Sequence, residues 1–295
     1  MTSSRGRMVH RRSPLVTVGV PVFNGEKYLR PMLESLIDQT LCDVEILVGD
    51  NASTDGTAGI CTDLARLDPR IRYIRHEENL GLVKNWNFLA RQARGAYFKW
   101  ASASDICEKS TLALCTEALE RDPNSVLCFG RTTLVDESEA IISEYDRDFA
   151  VEQDRPSERW VHILRNLGLN HPVWGVIRHA VLMETGLIRA YQGGDLVLVA
   201  ELALRGKFLL RPERLLRRRI AKGTWSGFLS ETELRQFLTP GRDRKFHFDM
   251  INKHWDYFRA ILRASIPAAE KARAIIESSR RLYWDLLKAM QSSRA

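Results

Sequence analysis

Three aspartates stand where apolar runs give way to polar ones, and each has neighbours suited to ligand chemistry. Asp105 closes "KWASASD", behind Ser102 and Ser104. Asp50 closes "VEILVGD" and leads into "NASTDGT". Asp195 follows the double glycine of "YQGGDLVLVAEL". A carboxylate in such a place can hold a divalent cation, accept charge-assisted hydrogen bonds from a ligand, or serve as a general base. Each also has a structural reading. Asp105 can cap a helix with Glu108 at the capping-box spacing, Asp50 can cap the helix after Thr54, and Asp195 can cap the helix after Gly193–Gly194. Further on, Arg217, Arg218, Arg219 and Lys222 cluster near Ile220.

These residues need elements to position them, and the first hundred residues supply them by alternation. "LVTVGVPV" (15–22), "VEILVGD" (44–50), "IRYIRH" (71–76) and "AYFKWA" (96–101) read as strands. Between them lie helical stretches. The first is capped by Asn24 and contains Pro31, where a kink is expected; the second runs to about Leu67; the third is closed by Gly95. Strands separated by helices of this length imply right-handed crossovers and a largely parallel sheet. Ligands bind such sheets at the carboxyl ends of the strands. "PVFN", "GDNASTD", the "HEEN" loop and "ASASD" therefore converge on one crevice. The middle reads as a helix over 109–121, a strand over 125–130, an edge segment near 131–135 and a loop over 136–156. A short helix over 157–167, "NHPVWGVIR" (170–178) and a helix from the double glycine follow. From about Glu231 the chain reads as helical. Stripes at Ile251, Trp255, Phe258 and Leu262, and at Ile275, Leu282, Leu286 and Met290, are expected to pack on the main domain, with docking on a membrane surface or partner as the alternative.

The chain has 295 residues and a net charge of +7, with 44% hydrophobic and 27% charged residues, as in soluble globular proteins. Five cysteines, odd in number and without a CxxC pair, argue against a disulfide framework or a thiolate zinc site and fit a reducing compartment. The expected location is the cytoplasm, with the inner face of the membrane as an alternative. Arg205 to Ala295 carries 21 Lys and Arg against 9 Asp and Glu, a net of +12, so residues 1–204 carry −5. A basic third suits a phosphate-rich ligand, an anionic membrane surface or a solvated helical face. It lacks a zinc-finger or RNA-binding signature, so no nucleic-acid partner is expected.

"GVPVFNGEKYL", "LVGDNASTDGT", "NLGLVKNWN" and "GAYFKWASASD", in this order, resemble glycosyltransferase family 2. The resemblance covers roughly residues 14 to 220. It implies the GT-A fold, an α/β architecture with a mostly parallel sheet, and an inverting transfer from a nucleotide-diphosphate sugar. The implied donor is a UDP-sugar; the implied acceptor is a glycan, glycolipid or small-molecule hydroxyl. The implied division is a basic arm over 1–13, a transferase domain over 14–222 split into nucleotide-binding (14–105) and acceptor (106–222) halves, and a helical extension over 223–295. Pro21, Val22, Phe23, Glu26 and Asp50 fall at the family's nucleoside-binding positions, with Ser53 and Asp55 structural. Asn79 and Gly81 match its N-x-G turn, followed by Lys84 and Asn85, which can face the phosphates; Trp86 reads as core. The family's D-x-D or D-D acids bind magnesium or manganese. Ser102 and Ser104 replace acids common there, and Asp105 matches the last one, so metal dependence is expected to be weaker. Asp195 matches the catalytic base, with Glu201 second. Trp174 reads either as core or as a sugar-stacking ring; His171 as a hydroxyl partner or, less favoured, the base. Near Ile220 many relatives carry a histidine; here Arg217, Arg218, Arg219 and Lys222 can neutralise a diphosphate instead.

Overall fold

The computed structural model describes residues 13–221 and 246–292. The basic arm before residue 13, Lys222 and the stretch from Glu231 to residue 245 lie outside the described residues. The first half alternates as the apolar runs dictate: β1 (Val16–Val22), α1 (Glu26–Ile37), β2 (Val44–Asp50), α2 (Thr57–Leu67), β3 (Ile71–Arg75), α3 (Leu82–Gln92) and β4 (Tyr97–Trp100). β1 and β2 are buried at every residue, because helices cover both faces of their valine-rich runs. Each fully buried valine or leucine contributes about 1.5–3 kcal/mol. α1 continues through Pro31, but Asn24 does not cap it: Gly25 does, and Asn24 sits at φ 50.

The second half runs β5 (Ile106–Cys107), α4 (Thr111–Arg121), β6 (Ser125–Val135), β7 (Ile141–Tyr145), α5 (Pro156–Asn166), a 3-10 turn (His171–Trp174), β8 (Val176–Arg178), α6 (His179–Met183), α7 (Gly194–Arg205) and β9 (Lys207–Arg219). The sheet order is β3-β2-β1-β4-β8-β6-β9-β5, with β7 also paired to β6. The parallel arrangement expected from the sequence holds for β1 to β4. Beyond β4 the sheet is mixed, because β8 enters antiparallel between β4 and β6. Two readings of the middle are corrected. The 125–130 strand and the 131–135 edge are one long strand, β6, and the expected 136–156 loop contains β7, which folds back on β6 as a hairpin. β7 is almost wholly exposed, so it carries no alternation of apolar and polar residues to betray it. β9 pairs with β6 up to Arg211 and resumes at Arg214, leaving Pro212 and Glu213 as a bulge; proline has no N–H for the ladder.

Two helices follow, α8 (Phe246–Arg263) and α9 (Ala268–Ser292). Both pack on the main body, but α8 uses another face than expected. Ile251, Trp255 and Leu262 are 54%, 57% and 63% exposed, whereas His254, Tyr257, Ala260 and Ile261 are buried. α9 buries Ala274 and Ser278 against α5, where the Trp160 indole N–H donates to Ser278 Oγ at 3.0 Å; Leu286 is exposed.

Candidate active site

The carboxyl ends of β1, β2 and β3 are laced together by side chains from successive loops. Asn24 N–H donates to Ser53 Oγ, Gly25 N–H to Thr57 Oγ1 and Glu26 N–H to Asp55 Oδ2. In return Thr54 N–H donates to Asn24 Oδ1, and Gly56 N–H to Glu26 Oε2 at 3.0 Å. Asn51 extends the lacing: its amide donates to Asn79 Oδ1 at 2.6 Å and its oxygen accepts Leu80 N–H. Asn79 Oδ1 also accepts Gly81 N–H, and Gly81 starts α3 at φ 83, a conformation that glycine alone adopts cheaply. Ser53 and Asp55 are structural, as expected.

The residues expected to bind the nucleotide lie at or beside these linked strand ends, with unequal exposure. Phe23, Glu26, Asn79 and Lys84 are exposed, whereas Pro21 and Val22 are buried strand backbone. Asp50 is fully buried; Oδ1 accepts Ser53 N–H at 2.9 Å and Oδ2 accepts the Tyr73 hydroxyl at 2.7 Å. It shapes the crevice from beneath. Asn85, expected to face the phosphates, is buried instead, donating to Gly49 O and contacting His76. Trp86 and Trp174 are core, ring centroids 5.0 Å apart, so Trp174 is no exposed stacking platform.

Asp105 lies beyond β4, and its surroundings are cationic. It is buried, and its Oδ1 accepts the backbone N–H of Arg219 at 2.9 Å. It caps no helix, because α4 starts at Thr111 and Glu108 pairs with Arg217. Burial pushes its carboxyl up to about 6, against the pull of Arg219's N–H and the charges of Arg218 and Lys99. Lys99 is itself buried, its ammonium donating to Trp174 O. Ser102 and Ser104 stand beside them, hydroxyls 3.0 Å apart. A hard divalent cation takes about six oxygen ligands. Here the side chains offer one carboxylate, already bonded and already beside two cations. Among the described residues no group of three or more His, Cys, Asp or Glu is placed to hold a metal ion. This donor set does not fit a magnesium or manganese ion held by side chains.

The arginines at the end of β9 have separate duties. Arg217 is half-exposed and bound to Glu108. Arg219 is a clasp: its guanidinium donates to Ser104 O, Asp136 O, Glu137 O and Glu139, and lies over the Tyr28 ring. Arg218 is buried, and burial pushes its pKa down against the charges of Asp105, Asp195 and Asp148. Its charge thus acts on aspartates from both halves of the chain.

Asp195 sits in the first turn of α7, behind Gly193 at φ 83. A Cβ on Gly194 would lie 2.0 Å from Arg189 O, so glycine lets the loop turn into the helix. Asp195 Oδ2 accepts the Asn170 side-chain amide at 2.9 Å. Burial raises its pKa, with Asn170 and Arg218 opposing. Glu201, the second choice, is fully committed to Arg205, Arg263 and Gly186 N–H. His171 bonds Asp148 through Nδ1 at 2.8 Å, both side chains buried. Burial lowers its pKa.

Sequence reasoning missed Asn51, Asp148 and Asn170. Asn51 and Asn170 lay inside recognised stretches but are ordinary turn residues without spacing to mark them. Asp148 lay in the segment read as a loop.

A parallel first half joined to a mixed second half, flanked by helices, is the GT-A architecture. Residues 17–186 match the family described as Glycosyl transferase family 2, and the chain belongs to that family. Chondroitin synthase of Escherichia coli is 29% identical over 133 residues, 45% of this chain and 19% of that protein. The uncharacterized glycosyltransferase EpsJ of Bacillus subtilis is 32% identical over 117 residues, 40% of this chain and 34% of that protein. The matches thus span well under half of these two relatives' lengths. Among solved structures, S. aureus TarS 1-349 in complex with UDP aligns with a TM-score of 0.65 at 19% identity, over 90% of this chain and 71% of that one. Mannosyltransferase PcManGT from Pyrobaculum calidifontis, in complex with GDP-Man and Mn2+, gives 0.53 at 16%, over 93% and 88%. At these identities the likeness shows the fold.

Proposed function

We propose that this protein is an inverting glycosyltransferase that moves a sugar from a nucleotide-diphosphate donor, a UDP-sugar, to a hydroxyl of a glycan, glycolipid or small-molecule acceptor. The observation that carries this reading is Arg218, a buried guanidinium whose charge acts on both Asp105, beyond β4, and Asp195, at the start of α7. The nucleoside lies in the laced crevice, against Pro21–Phe23, Glu26 and the Asn79–Gly81 turn, with Lys84 at its rim and Asp50 beneath. The diphosphate lies over Ser102 and Ser104 toward Arg218. Asp195, oriented by Asn170, takes the proton from the acceptor hydroxyl as its oxygen bonds the anomeric carbon. The bond from that carbon to the phosphate oxygen breaks, and the leaving diphosphate carries away the electron pair.

Electrostatic stabilisation of a leaving group by one prearranged donor is worth about 10²–10³ in rate. In this reading Arg218 supplies it, and Asp105 holds the loop of Ser102 and Ser104 against β9. Magnesium or manganese is then dispensable, consistent with the cationic, carboxylate-poor donor set. A second reading, a non-catalytic nucleotide-sugar binder, is favoured by the same two serines.

The test is a thermal-shift screen of nucleotides and nucleotide sugars, with manganese and with EDTA, followed by transfer assays and NMR of the product's anomeric configuration. Stabilisation by UDP and UDP-sugars in EDTA, with inverted product, is expected. Activity that vanishes in EDTA and returns only with manganese would sink the metal-independent reading. Retained configuration would sink the base assignment.

Among the described residues no helix is long and apolar enough to cross a membrane. Peripheral attachment at the inner membrane face, through the basic C-terminal third, is part of the proposal, and co-sedimentation with anionic vesicles tests it.

A further inference from the structure

A recess opens beside Asp195 that the transfer step leaves unused. Leu82, Val83 and Trp86 from the first turns of α3, Val173 from the 3-10 turn, and Ile188 and Tyr191 from the loop before α7 enclose it. Five of the six are buried, and none brings a charge. Its volume of about 20 Å³ admits one water-sized group, enough for a methyl and too little for a sugar ring.

The same wall carries one cationic donor. Arg189 lines the recess, and its Nε–H lacks a hydrogen-bond acceptor among the described residues, with Asp256 Oδ2 3.6 Å away. A methyl-sized apolar recess with a donor beside it matches an acetamido group, which ends in a methyl and carries a carbonyl next to it.

Position selects where on the substrate that group sits. A base must reach the hydroxyl that attacks the anomeric carbon. A recess opening at Asp195 therefore lies close to that carbon, and the substituent on the adjacent ring carbon is the one within reach. A 6-deoxy methyl hangs from C5, on the other side of the ring oxygen from the adjacent ring carbon that bears the acetamido group, and brings no carbonyl.

We infer that the recess is a specificity pocket for the 2-acetamido group of the transferred sugar, which makes the donor a nucleotide-linked N-acetylhexosamine. The inference rests on the transferase reading of this same site.

A methyl in an apolar pocket discriminates by about 10–200-fold. The full chain is titrated with UDP, UDP-N-acetylglucosamine, UDP-N-acetylgalactosamine, UDP-glucose, UDP-galactose and a UDP-6-deoxyhexose, and transfer or donor hydrolysis is measured with each. At least one acetamido donor is expected to exceed its hexose counterpart by at least 10-fold in kcat/KM. Val173→Leu, which fills the recess, is expected to bring that ratio toward one while UDP still binds. Val173→Ala, which enlarges it, is expected to admit an N-propanoyl donor that the wild type rejects; it decides the matter if the leucine variant does not fold. UDP binding with no acetamido preference, a preference for the 6-deoxy donor, or variants with unchanged ratios would overturn this inference alone. Failure of UDP and every UDP-sugar to bind would overturn the transferase reading, and this inference with it.

Discussion

Asp195 and Asp105 are both carboxylates in buried surroundings, but their neighbours give them different work. Asp195 keeps one oxygen for Asn170 and leads a helix, where the dipole favours its charge. Its raised pKa means that the acid limb of the kcat–pH profile should lie above the ordinary carboxylate value of 3.8. A limb at or below that value would contradict the base assignment. Asp105 is bonded to the β9 backbone, and its folded pKa of about 6 exceeds the ordinary 3.8. The folded state therefore holds that proton more tightly than the unfolded chain, and stability falls as pH rises between the two values, by about 3 kcal/mol. Asp105→Asn keeps an acceptor for Arg219 N–H and removes the charge. It should raise Tm at pH 8, with the gain disappearing by about pH 4; equal shifts at both would refute the sign. Arg218→Lys should lower kcat about 10²–10³-fold, in EDTA as in manganese, because an ammonium lacks the planar fork that a diphosphate matches.

At the scale of elements, the laced loops and the glycine-led α7 do the positioning. Gly194→Ala forces a Cβ to 2.0 Å from a backbone oxygen, so the loop before α7 must shift. A loss of about 1–3 kcal/mol in denaturant unfolding is expected, with kcat falling further than UDP affinity. The elements themselves were unevenly legible. β1 and β2 announce themselves as valine- and isoleucine-containing runs, since burial on both faces leaves nearly continuous apolar sequence, whereas β3 and β4 show as short β-branched or aromatic runs between helical stretches. The Asp195 turn was legible from its glycines. β7 was not, because an exposed hairpin has no apolar face to show, and Asp148 was lost with it. The separate fates of Arg217, Arg218 and Arg219 were hidden too: three adjacent identical residues in regular register with β6 differ only in the face of the strand they point from and the neighbours they meet there.

At the scale of the molecule, the C-terminal helices are part of the site's frame. Asp256 of α8 accepts the Tyr191 hydroxyl at 2.7 Å, and Tyr191 lies in the loop that leads to Asp195. Asp256→Ala leaves that hydroxyl without its acceptor, at a cost of about 1–3 kcal/mol. It should lower kcat with UDP affinity kept; unchanged kinetics would make α8 a mere buttress. The helical period marked α8 as a helix, but it did not reveal which face is buried, because bulky Ile251, Trp255 and Leu262 stay exposed while His254, Tyr257, Ala260 and Ile261 turn inward. The claim that joins these scales is that Asp195 performs chemistry while the crevice binds the nucleotide independently of it. The most direct measurement is Asp195→Asn, assayed side by side for transfer and for UDP binding. Loss of transfer with the UDP dissociation constant kept is the predicted result, whereas transfer at wild-type rates would contradict the account.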